Sequence, residues 1–599
     1  MMKTRGRGVG GVLALSSLVG FALCALVTPT WTDNVESAQV LAGHVVYPAR
    51  TPMYEYHLSA YSLTVQAAAV LLRLGIPEWP LSVLFSGLQG ALAFGALSML
   101  TLAVSRSPAA ALLMPVLFLR MREWTYGETD YIKILHGHRY PNLFPNDTGI
   151  YGVVGVFWLV LVLGLFGLRR VRAGAFLLGV MPAVHAGLAL PALLGAAAGA
   201  CLLGRERVKW WRAAWRPGLA GFGVFLVSAA IHIAGRDALP SATAPAAPAA
   251  RVNEVAEAFL RSWEDHNFLL SEGEAWSFFE PEYYIGILGL GMLTVLRRRV
   301  PRPVRVVTAA LLAIAATAVA YTLVLNAVPD LVPWRVRTLL ITRWLNLCST
   351  AFPVLGLGLL ARLALRRRNA WAAAVLVAEG WGVVAGHVRS LTAASLPDAG
   401  TPGLGGFVFP VSLVAAALVL AVLDRSRLTL RLPRTAGPLL SSAGLVTAAI
   451  YLAQSHFAHV DADRLHGRDP WTTVMAAASG RPGFLLVSGP DWNMGRVQVR
   501  TRRPLLLDPT QLNMWLKIPG SAPRMADLVY RVYGVDMVHE VPHESLDEAW
   551  DQYSLDEWQQ IRREFGVTDV LVHPGRELPL VKVFEGGRWL YAIPDDPVP

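Results

Sequence analysis

Long apolar segments are the feature that most constrains the fold of this chain. A helix needs about 20 apolar residues to cross a bilayer, and such segments recur from the N-terminus to residue 455. The series predicts a polytopic α-helical membrane protein of about 13 transmembrane helices. The predicted spans lie near residues 9–28, 80–104, 108–120, 148–168, 172–188, 189–204, 217–235, 283–296, 304–328, 338–361, 370–388, 405–424 and 436–455.

The composition agrees with this class. Apolar residues make up 54% of the chain and charged residues only 16%, whereas a soluble chain usually carries about 25% charged residues. The formal charge of +11 comes mostly from short arginine clusters beside the apolar segments, so it indicates membrane topology and no nucleic-acid partner. The three cysteines, Cys24, Cys201 and Cys348, all fall in apolar segments and predict no disulfide framework.

The arginine clusters predict which side each loop occupies, because basic residues favour the cytoplasmic side. With the N-terminus inside and residues 61–77 lying on the outer surface, the predicted spans place every cluster inside. The C-terminus then lies outside, and the protein is expected in the plasma (inner) membrane. We interpret the first span as a retained anchor, since many further spans follow it. The clusters are Arg106, 169–172, 205–216, 297–305, 366–368 and 425–434.

This topology divides the chain into a multi-span membrane domain, residues 1–455, and an extracytoplasmic α/β domain, residues 456–599. The membrane domain has outer loops at 29–79, 121–147 and 236–282. In the C-terminal domain, apolar patterning predicts strands at 484–488, 497–507 and 567–572, an amphipathic helix at 546–565, and a hairpin at 581–593.

Asp33 is the candidate catalytic residue. It lies five residues beyond the first span and therefore just outside the membrane in the predicted topology. A carboxylate in that position can remove a proton from an acceptor while the other end of the substrate remains in the bilayer. The alternative is that Asp33 only marks the end of the first helix.

The first two outer loops carry further acids and histidines, which we predict to bind an acceptor or a cation. Whether a divalent cation such as Mg²⁺ or Mn²⁺ binds stays open, because a histidine pair two residues apart is not a zinc signature. Ordinary solvated loops are the alternative. The candidates are Glu36, Glu128, Asp130, His136 and His138, with His57 as a further candidate in the first loop.

Arg335, Arg337 and Arg343 break the charge pattern, because they lie at the outer start of a predicted span. Arginine binds phosphate through a planar set of donors, so these residues predict a site for a lipid phosphate. The alternative is that they only reach towards lipid headgroups. His185 lies within an apolar segment and is a further candidate, since ionisable residues in spans are often functional.

This arrangement resembles the GT-C superfamily of membrane glycosyltransferases. The resemblance rests on Asp33 after the first span, on Glu128 and Asp130 in an acidic second loop, and on Arg335 and Arg337. It covers the whole chain and concerns architecture. The Trp-Trp-Asp motif with which oligosaccharyltransferases read their acceptor is absent, which argues against that subfamily.

The resemblance implies transfer of a sugar, with inversion, from a polyprenyl-phosphate carrier to an acceptor outside the cytoplasm. Asp33 would act as the base, and Arg335 and Arg337 would hold the departing lipid phosphate. The acceptor could be a protein, a lipid or a polysaccharide. Two alternatives stay open: a transporter or flippase for a lipid-linked or small solute, and a non-catalytic membrane scaffold.

Overall fold

The computed structural model describes most of the chain. The described residues are 4–126, 151–237, 247–262, 289–293, 296, 300–377, 416–423, 431–455, 457–489, 496–509, 512, 518–540 and 546–595. Helices dominate up to residue 455, and a small sheet lies in the C-terminal α/β region, by which we mean residues 457–595. The predicted fold class is therefore confirmed.

Six of the described helices are long and apolar enough to cross a membrane, as judged by length and composition. They are Gly8–Val27, Glu78–Ser105, Gly204–Arg236, Arg302–Ala327, Trp334–Arg367 and Ala436–Gln454. Each of the predicted spans contains helix in its described part, including short stretches at 289–293, 370–377 and 416–423. The number of crossings stays a prediction.

The helices of the first half are numbered in chain order. They are α1 (Thr4–Ala22, continued by a π-helical turn at Leu23–Val27), α2 (Asp33–Ala42), α3 (Pro52–Ser59), α4 (Leu63–Arg73), α5 (Glu78–Ser105), α6 (Pro108–Tyr126), α7 (Tyr151–Gly167), α8 (Val171–Val184), α9 (Ala186–Leu202), α10 (Arg207–Asp237) and α11 (Ala249–Ser262).

The remaining helices continue this numbering. They are α12 (Arg302–Ala327), α13 (Trp334–Arg337), α14 (Leu345–Arg367), α15 (Ala436–Ser455), α16 (Ala462–Leu465), α17 (Thr472–Ala478), α18 (Val497–Thr501), α19 (Ala522–Tyr533) and α20 (Leu555–Phe565).

Small residues let α1 lie close against α5. A Cβ atom added at Gly20 would collide with the carbonyl oxygen of Gly90, and one added at Gly90 would meet the Gly20 carbonyl and Cys24. Ser16 extends the contact by donating to the Phe94 carbonyl at 2.9 Å. In lipid, such close approach of backbones is a main source of helix association. The first helix is therefore built into the bundle, and its role as a retained anchor stays a prediction.

The helix α4 coincides with the segment that we predicted to lie on the outer surface. Its 11 residues span only about 16 Å, roughly half the thickness of the hydrocarbon core. Its apolar side, with Val65, Ala68 and Leu72, packs against Val35 and Leu41 of α2. Within the first outer loop, α4 is thus paired with α2.

The C-terminal α/β region contains a four-stranded sheet in the order β1-β2-β4-β3. Strand β1 pairs with β2 in parallel, and β4 pairs antiparallel with both β2 and β3. Leu505 forms a single parallel bridge to Leu485 on the free side of β1. The strands are β1 (Phe484–Val487), β2 (Val567–Val572), β3 (Val581–Phe584) and β4 (Trp589–Ala592).

The predicted strands at 484–488 and 567–572 and the predicted hairpin at 581–593 are confirmed. The predicted strand at 497–507 is wrong, because its first half forms α18 between two left-handed residues, Arg496 and Arg502. Both sides of α18 are buried, so its alternating valines contact two different apolar clusters. The predicted helix at 546–565 is interrupted at Ser554, which starts α20 with a capping box to Glu557.

The arginine clusters and the C-terminal region lie at opposite ends of α5. At its first residue, Glu78 binds Arg502 of the C-terminal region at 2.6 Å. Beyond its last residue, the Arg106 carbonyl accepts a hydrogen bond from Arg366 at 2.7 Å. The 28 residues of α5 span about 42 Å, more than the hydrocarbon core of a bilayer. A helix of this length can place its two ends on opposite sides of a membrane.

We expect the arginine end to be cytoplasmic, because positive charges favour that side. Alkaline phosphatase fused after Pro599 should then be active, and the same enzyme fused after Arg368 should be inactive. Green fluorescent protein at the two positions should give the reverse pattern. An active phosphatase after Arg368 and an inactive one after Pro599 would invert the topology.

Candidate active-site face

The candidate base Asp33 is the first residue of α2, a few residues after the first membrane helix ends at Val27. The connecting residues are held by aromatic contacts. The ring of Trp31 lies 4.9 Å from that of Trp79 at the start of α5. The guanidinium of Arg500 lies 5.6 Å from the centre of the Trp31 ring and forms an ion pair with Asp469. The start of α2 is therefore fixed between α1, α5 and the C-terminal region.

The helix α2 is buried along most of its length. Its apolar residues pack against α4 and Phe85, and its polar residues Glu36 and Gln39 are almost fully buried as well. Buried polar groups need hydrogen-bond partners. The partners of these two residues show how the C-terminal region is attached to α2.

Gln498 is the main link between α18 and the first outer loop. Its side-chain amide donates to the backbone carbonyl of Glu36 at 3.1 Å, and its carbonyl oxygen accepts from the Tyr47 hydroxyl at 2.7 Å. Gln39 donates in turn to the Val499 carbonyl at 3.1 Å. Two side-chain amides thus join α2 and α18 through backbone carbonyls, which fixes the position of one helix relative to the other.

The carboxylate of Glu78 forms a second link. His44 Nδ1 lies 3.1 Å from its Oε1, and the guanidinium of Arg502 lies 2.6 Å from its Oε2. Gln39 donates to the same carboxylate at 3.3 Å. Glu78 thus connects α5, α2 and the C-terminal region, and its carboxylate is engaged in these contacts.

Glu55 of α3 forms a third link, to α19. It binds Arg50 at 2.7 Å and accepts from Arg524 and Ser521. Burial alone raises the pKa of Glu55, but the hydrogen bonds from Arg524, Ser521 and Arg50 outweigh it and hold the pKa below its ordinary value of 4.5. Glu55 is therefore ionised at neutral pH and contributes to the attachment of the C-terminal region.

His57 lies within this interface. Its Nδ1 atom lies 3.0 Å from the Ser37 hydroxyl, and the residue is fully buried. Burial lowers the pKa of His57 to about 3, with a smaller opposing contribution from Gln498. A neutral, inaccessible imidazole suits a packing role between α2 and α3, and Glu36 is likewise buried beside them.

The predicted phosphate-binding arginines have different surroundings. Arg337 is buried, donates to the Val332 carbonyl at 3.0 Å and to the Pro329 carbonyl, and lies 3.3 Å from Glu257 of α11. Arg335 is exposed, and its guanidinium lies 5.5 Å from the centre of the Trp334 ring. Arg343 is partly buried in a 3₁₀ turn before α14. Arg337 holds the loop together, which leaves Arg335 presented at its surface.

The helix α11 joins this arginine loop to the C-terminal region. Asn253 accepts a hydrogen bond from the Trp334 indole at 2.9 Å, and Ala256 and Leu260 pack against the same ring. On its other side, Val255 and Phe259 belong to the apolar cluster of α19. The third predicted outer loop therefore connects the arginines to the region that also holds α2.

Other predicted residues fall elsewhere. Glu128, Asp130, His136 and His138 lie outside the described residues. His185 lies between α8 and α9, where its Nδ1 accepts from the Leu188 N–H at 3.1 Å and caps α9. Within the described ranges no group of three or more metal-binding side chains occurs. A divalent cation therefore stays a prediction.

Sequence reasoning missed Gln498, Arg502, Glu78 and Glu257. Gln498 and Arg502 lie in a segment that was predicted as a strand, and their partners are more than 400 residues away. No local pattern marks such pairs. The excess of polar residues in the first outer loop was visible in the sequence, and several of them form this interface.

No family model matches the chain, and no curated protein matches it. A solved structure is similar. It is the crystal structure of ArnT from Cupriavidus metallidurans bound to undecaprenyl phosphate, at 15% sequence identity and a TM-score of 0.42, and the match covers 98% of each chain.

We expect Arg524→Gln to loosen the C-terminal region at neutral pH. In the wild type, the lowered pKa of Glu55 stabilises the attachment above its ordinary pKa of 4.5, and this contribution is lost as the pH falls through the lowered value. Protease cleavage of the C-terminal region should therefore accelerate in acid for the wild type. The variant should already be cleaved faster at neutral pH and should respond less to acid.

Arg531→Gln is the matched control, since Arg531 lies on the same helix but pairs with Asp527 and Glu564 of the C-terminal region itself. Equal protection of Arg524→Gln and the wild type at every pH would contradict a role for Glu55 in the attachment.

Proposed function

We propose that this protein is a membrane glycosyltransferase that moves a sugar from a polyprenyl-phosphate carrier to an acceptor outside the cytoplasm. The observation that carries the proposal is the fixed position of α2. Its first residue, Asp33, follows the first membrane helix, and Glu36 and Gln39 are bound by the C-terminal region. A rigid support at the membrane surface is what a general base needs when its substrate is anchored in the bilayer.

In this mechanism Asp33 removes the proton from the acceptor nucleophile as that nucleophile attacks the anomeric carbon. The bond between the anomeric carbon and the phosphate oxygen breaks, and the polyprenyl phosphate leaves with the bonding electrons. Attack opposite to the leaving group inverts the anomeric centre. Negative charge develops on the departing phosphate, so a cation nearby lowers the barrier.

Arg335 is the residue we assign to that cationic role. It is exposed on α13, while Arg337 binds the carbonyls of the preceding turn and Glu257. The two arginines therefore have different roles. Arg337 stabilises the loop, and Arg335 is exposed and can bind the phosphate. The planar guanidinium suits a phosphate better than an ammonium does.

The same contacts support our proposal for the side of the membrane. The first outer loop and the C-terminal region are joined by Gln498, Arg502 and Arg524, so they share one side. The arginine clusters at the far end of α5 support a cytoplasmic position for that other end. The reaction would then take place outside the cytoplasm.

Asp33→Asn should abolish proton removal while preserving the helix, because asparagine suits the start of a helix about as well as aspartate. We expect turnover to fall by roughly 10²–10⁴-fold, the usual contribution of a general base. The measurement is release of free polyprenyl phosphate from lipid-linked sugars of the native membrane, followed by mass spectrometry.

Asp463→Asn serves as the control, because it makes the same change at an exposed carboxylate of the C-terminal region. Wild-type turnover by Asp33→Asn would remove Asp33 from the mechanism.

Arg335→Lys should reduce turnover nearly as much as Arg335→Ala if the guanidinium binds phosphate through two donors. If Arg335 only reaches towards lipid headgroups, lysine should replace it with little loss. Arg251→Lys provides the comparison, because Arg251 is an exposed arginine of α11 in a local pair with Glu254. Full activity of Arg335→Lys would contradict phosphate binding by Arg335 through two donors.

A further inference from the structure

Arginines gather at the place where α5 and α14 end. The guanidinium of Arg362 donates to the Val104 carbonyl at 3.1 Å, and that of Arg366 donates to the Arg106 carbonyl at 2.7 Å. The two accepting residues lie at the end of α5 and only two positions apart in the chain. The end of α14 is therefore fixed against the end of α5 by two guanidinium groups on nearby carbonyls.

The residues before α15 join the same place. Arg431 donates to the Arg367 carbonyl, and the Leu432 N–H donates to the Arg368 carbonyl at 2.7 Å. These bonds hold the start of α15 against the last residues of α14. Arg434 follows Leu432 by two positions, which is at most about 7 Å of chain, so it lies close to the end of α14 as well.

These residues form what we call the α14 arginine cluster, whose positive charge has no carboxylate beside it in the described ranges. Arg302 at the start of α12, by comparison, pairs with Glu206 at 2.8 Å. A backbone carbonyl satisfies one of the five N–H groups of a guanidinium but does not neutralise its charge. Repulsion between such groups favours an anion among them. The members of the cluster are Arg362, Arg366, Arg367, Arg368 and Arg434.

The tendency of basic residues to lie on one side of a membrane does not by itself account for this arrangement. That tendency requires positive charge in the loops, wherever the side chains point. Arg207 and Arg212 of α10 meet the requirement as exposed side chains. In the α14 arginine cluster, Arg362 and Arg366 are held by the carbonyls of a second helix. Charges that are already fixed in place bind a ligand at a lower entropic cost.

The surface that continues from the cluster is apolar and suits acyl chains. Leu439, Val446 and Ile450 of α15 are exposed, and at 100° per residue they lie on one face of the helix. This face begins five positions after Arg434. The 20 residues of α15 span about 30 Å, the thickness of the hydrocarbon core. A ligand with a phosphate at the cluster and hydrocarbon chains along α15 would contact both surfaces.

We propose that the α14 arginine cluster binds the phosphate of an anionic glycerophospholipid, whose acyl chains lie along the exposed face of α15. Guanidinium groups bind phosphate oxygens through pairs of parallel hydrogen bonds, and basic sites at the ends of membrane helices suit such headgroups. The cluster lies at the opposite end of α5 from Glu78, which contacts α2 and the C-terminal region. The site is therefore separate from Asp33 and would bind lipid whether or not Asp33 acts as a base.

The test is native mass spectrometry of the purified full-length protein in detergent, titrated with dioleoyl phosphatidylglycerol or dioleoyl phosphatidylcholine. The two lipids have the same chains and differ in the charge of the headgroup. We expect the wild type to bind phosphatidylglycerol more tightly. The double variant Arg367→Gln/Arg434→Gln should reduce that affinity by roughly 25-fold, at about fivefold for each charge removed, and should bind phosphatidylcholine as the wild type does.

The double variant Arg207→Gln/Arg212→Gln is the matched control, because it removes the same charge from the same end of the bundle. Trp210 of α10 stacks on Phe166 at 6.0 Å, at the end of α7 that Arg106 also contacts. The control should bind phosphatidylglycerol as tightly as the wild type does. Equal loss of affinity in the two double variants would show a diffuse effect of charge and would overturn the proposal.

The fold of the test variant is checked by its melting temperature without added lipid. Within the described part of the chain, the side chains of Arg367 and Arg434 are exposed and accept no structural role, so this temperature should not change. If it falls, Arg434→Gln alone decides the question. The proposal is also overturned if the wild type binds both lipids equally, if the test variant keeps its affinity for phosphatidylglycerol, or if inorganic phosphate binds the wild type as tightly as that lipid does.

Discussion

The attachment of the first outer loop to the C-terminal region is the interaction on which the candidate site depends. A ten-residue helix such as α2 is unstable by itself in water. Here the backbone carbonyl of Glu36 and the side chain of Gln39 bind α18, and Val40 of the same helix joins the apolar cluster around Phe484. The buried amides must be satisfied together, so a shift of either helix would leave several of them without partners. The position of α2, which Asp33 begins, is a consequence of this constraint.

The distribution of charges along α5 is the second constraint, because the arginines and the ion pairs of the C-terminal region lie at its opposite ends. At the arginine end, Arg106 and Arg368 adopt left-handed conformations that close α5 and α14, and Arg366 binds the Arg106 carbonyl. The same residues therefore end the helices and mark the side on which they end. At the opposite end, arginines pair with carboxylates, as Arg502 does with Glu78. Within the described part of the chain, Arg335 forms no ion pair, and we propose that it is therefore available for an anionic ligand.

The sequence predicts those parts of the structure that depend on local patterns. The length of the apolar segments predicts the long helices. The capping box at Ser554 and Glu557 also marks the start of α20 in the sequence. The pattern failed at 497–507, because alternating valines indicate a strand only if one face of the segment is buried, and α18 is buried on both. The sequence pattern also could not distinguish the role of Arg337 from that of Arg335. Glu257, which binds Arg337, lies in α11, in another segment of the chain. Contacts between distant segments produce no periodic pattern in the sequence from which they could be predicted.

The helix α19 connects the two halves of the proposed site. On one side, Arg524 binds Glu55 of the first outer loop, which follows α2. On another, the α19 cluster includes Val255 and Phe259 of α11, whose Glu257 holds Arg337. The proposed base Asp33 and the proposed phosphate-binding Arg335 lie about 300 residues apart in the chain, so no local pattern fixes the distance between them. Because both of their surroundings contact α19, the C-terminal region sets that distance. In the proposed mechanism, this region holds the two reacting ends in register.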